Sequence, residues 1–92
     1  MIMTEKEIQE KLNSLNGWSY SENSIKKEFC FKNFREAMSM MQRIAFEAED
    51  MNHHPDWTNV YNRLSISLST HDAGGVTQKD FDLAMRIDEF TK

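Results

Sequence analysis

The chain has 92 residues, 39% apolar and 28% charged, with 15 Asp and Glu against 11 Lys and Arg and a net charge of -4. This is one domain, residues 1–92, able to bury roughly 60–65% of its unfolded surface, and its acidic balance without any block of five or six basic residues argues against direct nucleic-acid binding. No stretch approaches the ~18 apolar residues of a membrane span, and "MIMTEKEIQEK" is charged throughout rather than shaped like a signal peptide, so no membrane association and a cytoplasmic location are expected.

Residues 4 to 16 read as a helix. Thr4 and Glu7 have capping-box spacing, Ile8, Leu12 and Leu15 form one stripe, and Asn16-Gly17 is a stop signal. Residues 18 to 32 read as a hairpin around a polar turn from Ser21 to Ser24. Ile25, Phe29 and Phe31 share one parity there, and Lys27 interrupts the row. The single cysteine, Cys30, leaves no partner for an internal disulfide. Its apolar-aromatic surroundings make it a small core or interface side chain.

Residues 34 to 52 carry the strongest helical pattern. Asn33 can cap, and Phe34, Ala37, Met38, Met41, Ile44, Ala45, Ala48 and Met51 follow the 3.6-residue period. Pro55 disfavours helix at His54. "DWTNVYNRLSISLST" then reads as a second hairpin, in which Leu64, Ile66 and Leu68 alternate with Ser65, Ser67 and Ser69. "HDAGGV" is a loop, and Thr77 caps a last helix, 78 to 91, with Asp80 at the box position. The predicted class is α+β, in the order α-β-β-α-β-β-α. Four antiparallel strands would carry three helices on one face. Short edge strands of such a sheet invite pairing with a second subunit.

The three histidines of the chain are His53, His54 and His71, two of them inside "NHHPDW". Glu49 and His53 are four residues apart, on one side of the long helix beside its apolar stripe. His53 also sits at the helix C-terminus, where the macrodipole favours positive charge. Taken singly, a histidine at a helix end is a cap, Glu49 is a solvated charge, Asp80 is a helix cap, and Trp18 and Trp57 are partial core. Three histidines and a glutamate would also suit zinc or iron. Helical zinc pairs, however, place histidines at i and i+4, and adjacent histidines chelate poorly on a regular helix. No metal site is therefore expected. No serine stands in a G-x-S-x-G context, and "AGGV" lacks the ending of a phosphate loop.

The spacing is nevertheless distinctive: Glu49-x3-His53-His54-Pro55, Tyr61 after five residues, His71 after nine more, Asp80 after eight more. It resembles the signature of the pterin-4a-carbinolamine dehydratases. "EAEDMNHHPDWTNVYNRLSISLSTHDAGGVTQKDFDLA", "GW" at 17 and 18 and "FKNF" at 31 to 34 extend the resemblance over almost the whole chain. The resemblance implies a hydro-lyase of tetrahydropterin recycling, which removes water from 4a-hydroxytetrahydropterin to give quinonoid dihydropterin. It implies neither metal nor organic cofactor, a pterin as the small-molecule partner, and a homodimer or homotetramer. His53 and His71 would then handle protons and His54 would hold the substrate. Glu49 and Asp80 would orient or charge-tune the histidines, and Trp18 would wall the pocket. Asn52 stands where some members carry Asp. A rival use of the same scaffold is non-catalytic, since some animal members also act as a dimerisation cofactor of a homeodomain transcription factor.

Overall fold

The computed structural model describes residues 2–91. Helix α1 covers Glu5–Leu12, strand β1 Ser19–Ser21, β2 Ser24–Cys30, helix α2 Phe34–Met51, β3 Asp56–Val60, β4 Arg63–Leu68 and helix α3 Gln78–Thr91, with a single 3-10 turn at His71–Ala73. The element order is the expected one. The strands pair antiparallel in the order β1-β2-β4-β3, so the two longest strands lie in the middle and β3 forms an edge.

Each hairpin turns where the chain accepts a left-handed backbone. Glu22 and Asn23, at φ 51° and 60°, join β1 to β2, a geometry that matches the twist of the flanking strands. Pairing then sets the faces. Phe29 lies opposite Leu64, Lys27 opposite Ile66 and Ile25 opposite Leu68, while Trp57 flanks Ile66 from the other side. Successive side chains alternate faces, so Ile25, Leu64, Ile66 and Leu68 all enter one core with Ile8, Ile44, Leu83 and Ile87 of the helices. The serines and charged residues of the strands occupy the opposite face.

Lys27 belongs to the inward row by parity. It resolves the conflict by lying over the Phe29 ring, 4.8 Å from its centroid, and pairing with Asp88 of α3 at 3.0 Å. The aliphatic stem stays among the aromatics and the ammonium finds a carboxylate. Trp18 donates its indole N–H to the same carboxylate, at 3.0 and 3.1 Å to its two oxygens.

Three expectations change. Helix α1 stops at Leu12 instead of residue 16, because Asn13, Ser14 and Leu15 form tighter i→i+3 bonds and the Ser14 hydroxyl donates to the Lys11 carbonyl at 2.7 Å; such local bonding competes with helix. The apolar stripe of α2 is wider than the surface it covers. Ala37, Ile44 and Ala48 are buried, but Phe34 and Met38 on its flank are exposed, as is Ala45. Cys30 is exposed rather than in the core, because Phe29 takes the inward position and its neighbour must face outward.

Candidate active site

The site is assembled from two junctions. At the first, α2 ends on Asn52, which adopts the left-handed conformation (φ 52°, ψ 43°). The reversal brings the His53 amide back to donate to the Ala48 carbonyl at 2.9 Å. This turn carries Asn52, His53 and His54 together. At the second, β4 runs into the 3-10 turn His71–Ala73, closed by Gly74 at φ 78°. Thr70 holds that turn: its amide donates to the Gly75 carbonyl at 2.8 Å, and its own carbonyl accepts from Ala73 and Gly74.

A cleft of about 270 Å³ opens between the two junctions, lined by Asn52, His53, His54, Ser69, Thr70, His71, Asp72 and Lys79. All three histidines reach it. They differ in setting: His53 is buried, while His54 and His71 are exposed. Larger hollows lie over the outer face of the sheet and beside Lys27 and Asp88, but neither is lined by a histidine.

The carboxylates are paired in a way the helical spacing did not indicate. Asp80, fully buried in the first turn of α3, lies 2.5 Å from His53 Nε2 through Oδ1. Its other oxygen accepts from the Thr70 hydroxyl at 3.0 Å and from the Thr77 amide at 2.9 Å. Glu49, four residues before His53, instead meets His54, at 2.9 Å between Oε1 and Nε2. That pair is largely exposed and is worth at most about 1 kcal/mol. The His53–Asp80 pair is of another kind, because a buried carboxylate must have its acceptor positions filled. Here they are filled, and no buried side-chain nitrogen or oxygen among the described residues lacks a partner.

The seven expected site residues therefore divide. His53, His54, His71 and Asn52 line the cleft, Asp80 lies directly behind His53, and Glu49 holds His54 from the rim. Trp18 does not line this cleft; it is buried against Phe29 and Asp88. Among the described residues no group of three or more His, Cys, Asp or Glu side chains is gathered as a metal site. Thr70 and Lys79 were not anticipated. A signal for Thr70 exists in the sequence, since it continues the inward row Leu64, Ile66, Leu68 by the same two-residue step.

Chemically, the cleft offers several nitrogen groups able to hold or accept a proton near neutral pH, one of them locked in place by a buried acid. Such an arrangement is chemically suited to proton transfer. Comparison with known proteins agrees with this class. The sequence profile of the family described as "Pterin 4 alpha carbinolamine dehydratase" matches residues 1–90. A protein of Christiangramia forsetii named "Putative pterin-4-alpha-carbinolamine dehydratase" is 56% identical over 90 residues, covering 98% of this chain and 93% of its own. One of the same name from Sulfurisphaera tokodaii is 48% identical over 87 residues, covering 95% and 94%. A crystal structure described as a transcriptional coactivator/pterin dehydratase from Brucella melitensis superposes with a TM-score of 0.97 at 36% identity, over the full length of both chains. A pterin dehydratase-like protein described as a RuBisCO assembly factor in the alpha-carboxysome shares the fold, with a TM-score of 0.68 at 18% identity over 82% of this chain and 89% of its own. The chain belongs to the pterin-4-alpha-carbinolamine dehydratase family.

Proposed function

We propose that the protein is a hydro-lyase that converts 4a-hydroxytetrahydropterin into quinonoid dihydropterin, as a step in tetrahydropterin recycling. The observation that carries this reading is the convergence of His53, His54 and His71 on one cleft, with His53 seated on the buried carboxylate of Asp80. The substrate bears a hydroxyl on C4a beside N5. One imidazolium protonates the departing oxygen, the C4a–O bond breaks as the N5 lone pair forms C4a=N5, and a neutral imidazole takes the N5 proton. Water leaves and the proton count closes. One positioned proton donor and one positioned acceptor meet that requirement, and imidazole serves as either. His53 and His71 carry the transfers, and His54, steadied by Glu49, holds the substrate. Positioned proton transfer contributes roughly 10²–10⁴-fold, which is ample for a carbinolamine whose own nitrogen drives the elimination.

The test is the dehydration rate of freshly generated 4a-hydroxytetrahydropterin with and without the protein. Acceleration by the wild type, lost in His53→Ala and His71→Ala variants that remain folded, is the expected result. Full rate in both variants removes the assigned roles.

A second reading, a protein-interaction role on this scaffold, is favoured by the structural neighbour from Brucella melitensis, which is described as a transcriptional coactivator as well as a pterin dehydratase. Stoichiometric capture of one protein partner, with no pterin turnover, would favour it. Self-association as a homodimer or homotetramer fits the uncovered β3 edge and the exposed Phe34, Met38 and Phe46 on α2, and light scattering reads it directly. No helix among the described residues is long and apolar enough to cross a membrane.

A further inference from the structure

The histidine cleft has a neighbour. A second hollow, of about 490 Å³, is lined by Ile2, Thr70, Asp72, Ala73, Thr77 and Lys79. Thr70, Asp72 and Lys79 also line the histidine cleft. The two depressions therefore meet at one ridge, formed by the 3-10 turn after β4 and the first turn of α3.

That ridge carries charges with nothing to hold. Asp72 and Lys79 are exposed, and among the described residues neither side chain has an ion-pair or hydrogen-bond partner. The other carboxylates at the cleft are committed, Glu49 to His54 and Asp80 to His53. The Thr70 hydroxyl is also taken, between Thr77 and Asp80. The ridge thus offers an open acceptor, Asp72, and an open donor, Lys79.

We propose that the second hollow is a subsite for the substituent on C6 of the pterin, and that it takes an uncharged, hydroxylated chain; the pterin itself comes from the dehydratase reading, on which this inference rests. C6 is bonded to N5, the nitrogen that loses its proton in the elimination. A C6 substituent therefore leaves the ring beside the edge where protons are exchanged. His71 directly precedes Asp72 in the 3-10 turn. A ring held with N5 toward His71 sends its substituent across Asp72 and Lys79 and onto Ala73 and Ile2. A hydroxyl both donates and accepts, so a chain bearing two of them can give one proton to Asp72 and take one from Lys79. An apolar substituent uses neither group. An anionic one gains Lys79 but meets the Asp72 carboxylate, and like charges across a contact oppose binding.

The experiment is isothermal titration calorimetry with 7,8-dihydropterins, which lack the C4a hydroxyl and so read the subsite apart from catalysis. The probes differ only at C6: a methyl group, a 1,2-dihydroxypropyl chain, and the same diol carrying a phosphate. The wild type is expected to bind the diol about tenfold more tightly than the methyl compound, the scale of one net hydrogen bond to a charged group, and more tightly than the phosphate. In Asp72→Ala and in Lys79→Met the diol-to-methyl ratio is expected to fall to about threefold or less. Ala73→Leu places bulk in the hollow and not in the cleft, and is expected to abolish the ratio. Comparing ligands within each variant cancels any general effect on the fold or the histidines, and the two surface variants carry the test if Ala73→Leu does not fold. Equal affinity for the methyl and diol compounds in the wild type overturns the proposal. So do an unchanged ratio in the variants, tighter binding of the phosphate, and no binding of any probe. Diol-selective binding without dehydration of 4a-hydroxytetrahydropterin removes the reaction and leaves the pterin subsite standing.

Discussion

Replacing Asp80 by Asn asks the most of the reasoning, because it changes charge and proton inventory and almost nothing else. The carboxylate receives three hydrogen bonds, from His53, Thr70 and the Thr77 amide. An amide can keep the two on the Thr side only by turning its oxygen toward them. Its NH₂ then faces His53 Nε2, which must accept instead of donate, and the imidazole proton moves to Nδ1. Downgrading three charge-assisted bonds to neutral ones costs roughly 1 kcal/mol each. Removing a buried charge offsets part of that, leaving a net loss of about 2 kcal/mol, or roughly 8–16 °C in Tm for a domain of this size.

The catalytic loss should be far larger than the structural one. Presenting a histidine in the wrong tautomer has cost up to ~10⁴-fold in kcat where a buried aspartate sets it. With His71 untouched, a fall of about 10²–10³-fold is expected, within the range of positioned proton transfer. Stopped-flow measurement of pterin dehydration gives the rate, and circular dichroism with thermal melting gives the fold. A folded Asp80→Asn protein with wild-type kcat would refute the assignment of the His53–Asp80 pair to proton transfer.

Three further outcomes are expected. Leu83→Ala removes a fully buried core side chain of α3 and should lower stability by about 3 kcal/mol, read as the urea midpoint; a loss well under 1 kcal/mol would mean that the core there is not close-packed. Asn52→Val forces a β-branched residue into the left-handed conformation that ends α2 and should cost about 1–2 kcal/mol, whereas Asn52→Gly should be near neutral in the same denaturation assay. Glu7 is held below its ordinary value of 4.5, first by the Thr4 backbone amide and then by the Thr4 hydroxyl. A lowered folded value means that the cap is intact above the ordinary value and is lost as pH falls through the folded one, so the Thr4 amide resonance should titrate in acid in the wild type and not in Glu7→Ala.

Local pattern determined much of this protein. The order of elements, the inward parity of Leu64, Ile66 and Leu68, and the span of α3 all follow from period-2 and period-3.6 repeats, because burying one face requires them. The turn at His53–Pro55 was visible for a similarly local reason, since proline restricts the residue before it. The gathering of the histidines was implied only by the family resemblance, because local spacing does not bring His71 to His53 and His54. What local pattern misjudged was how much of each stripe a neighbour would cover: α2 offers an apolar face wider than its contact, leaving Phe34 and Met38 outside.

Tertiary structure alone decided the partners. Helical spacing paired Glu49 with His53, but the left-handed turn at Asn52 swings His53 inward and leaves His54 beside Glu49. The acid that holds His53 comes from 27 residues further on, through the docking of α3 beside the end of β4. The resemblance set Trp18 as a wall of the pocket, but its indole N–H is bound by Asp88, which also pairs with Lys27, outside the histidine cleft. Periodicity reports which side chains must leave water. Which buried acid meets which base depends on where separate elements come to rest, and that is set only when the whole core packs.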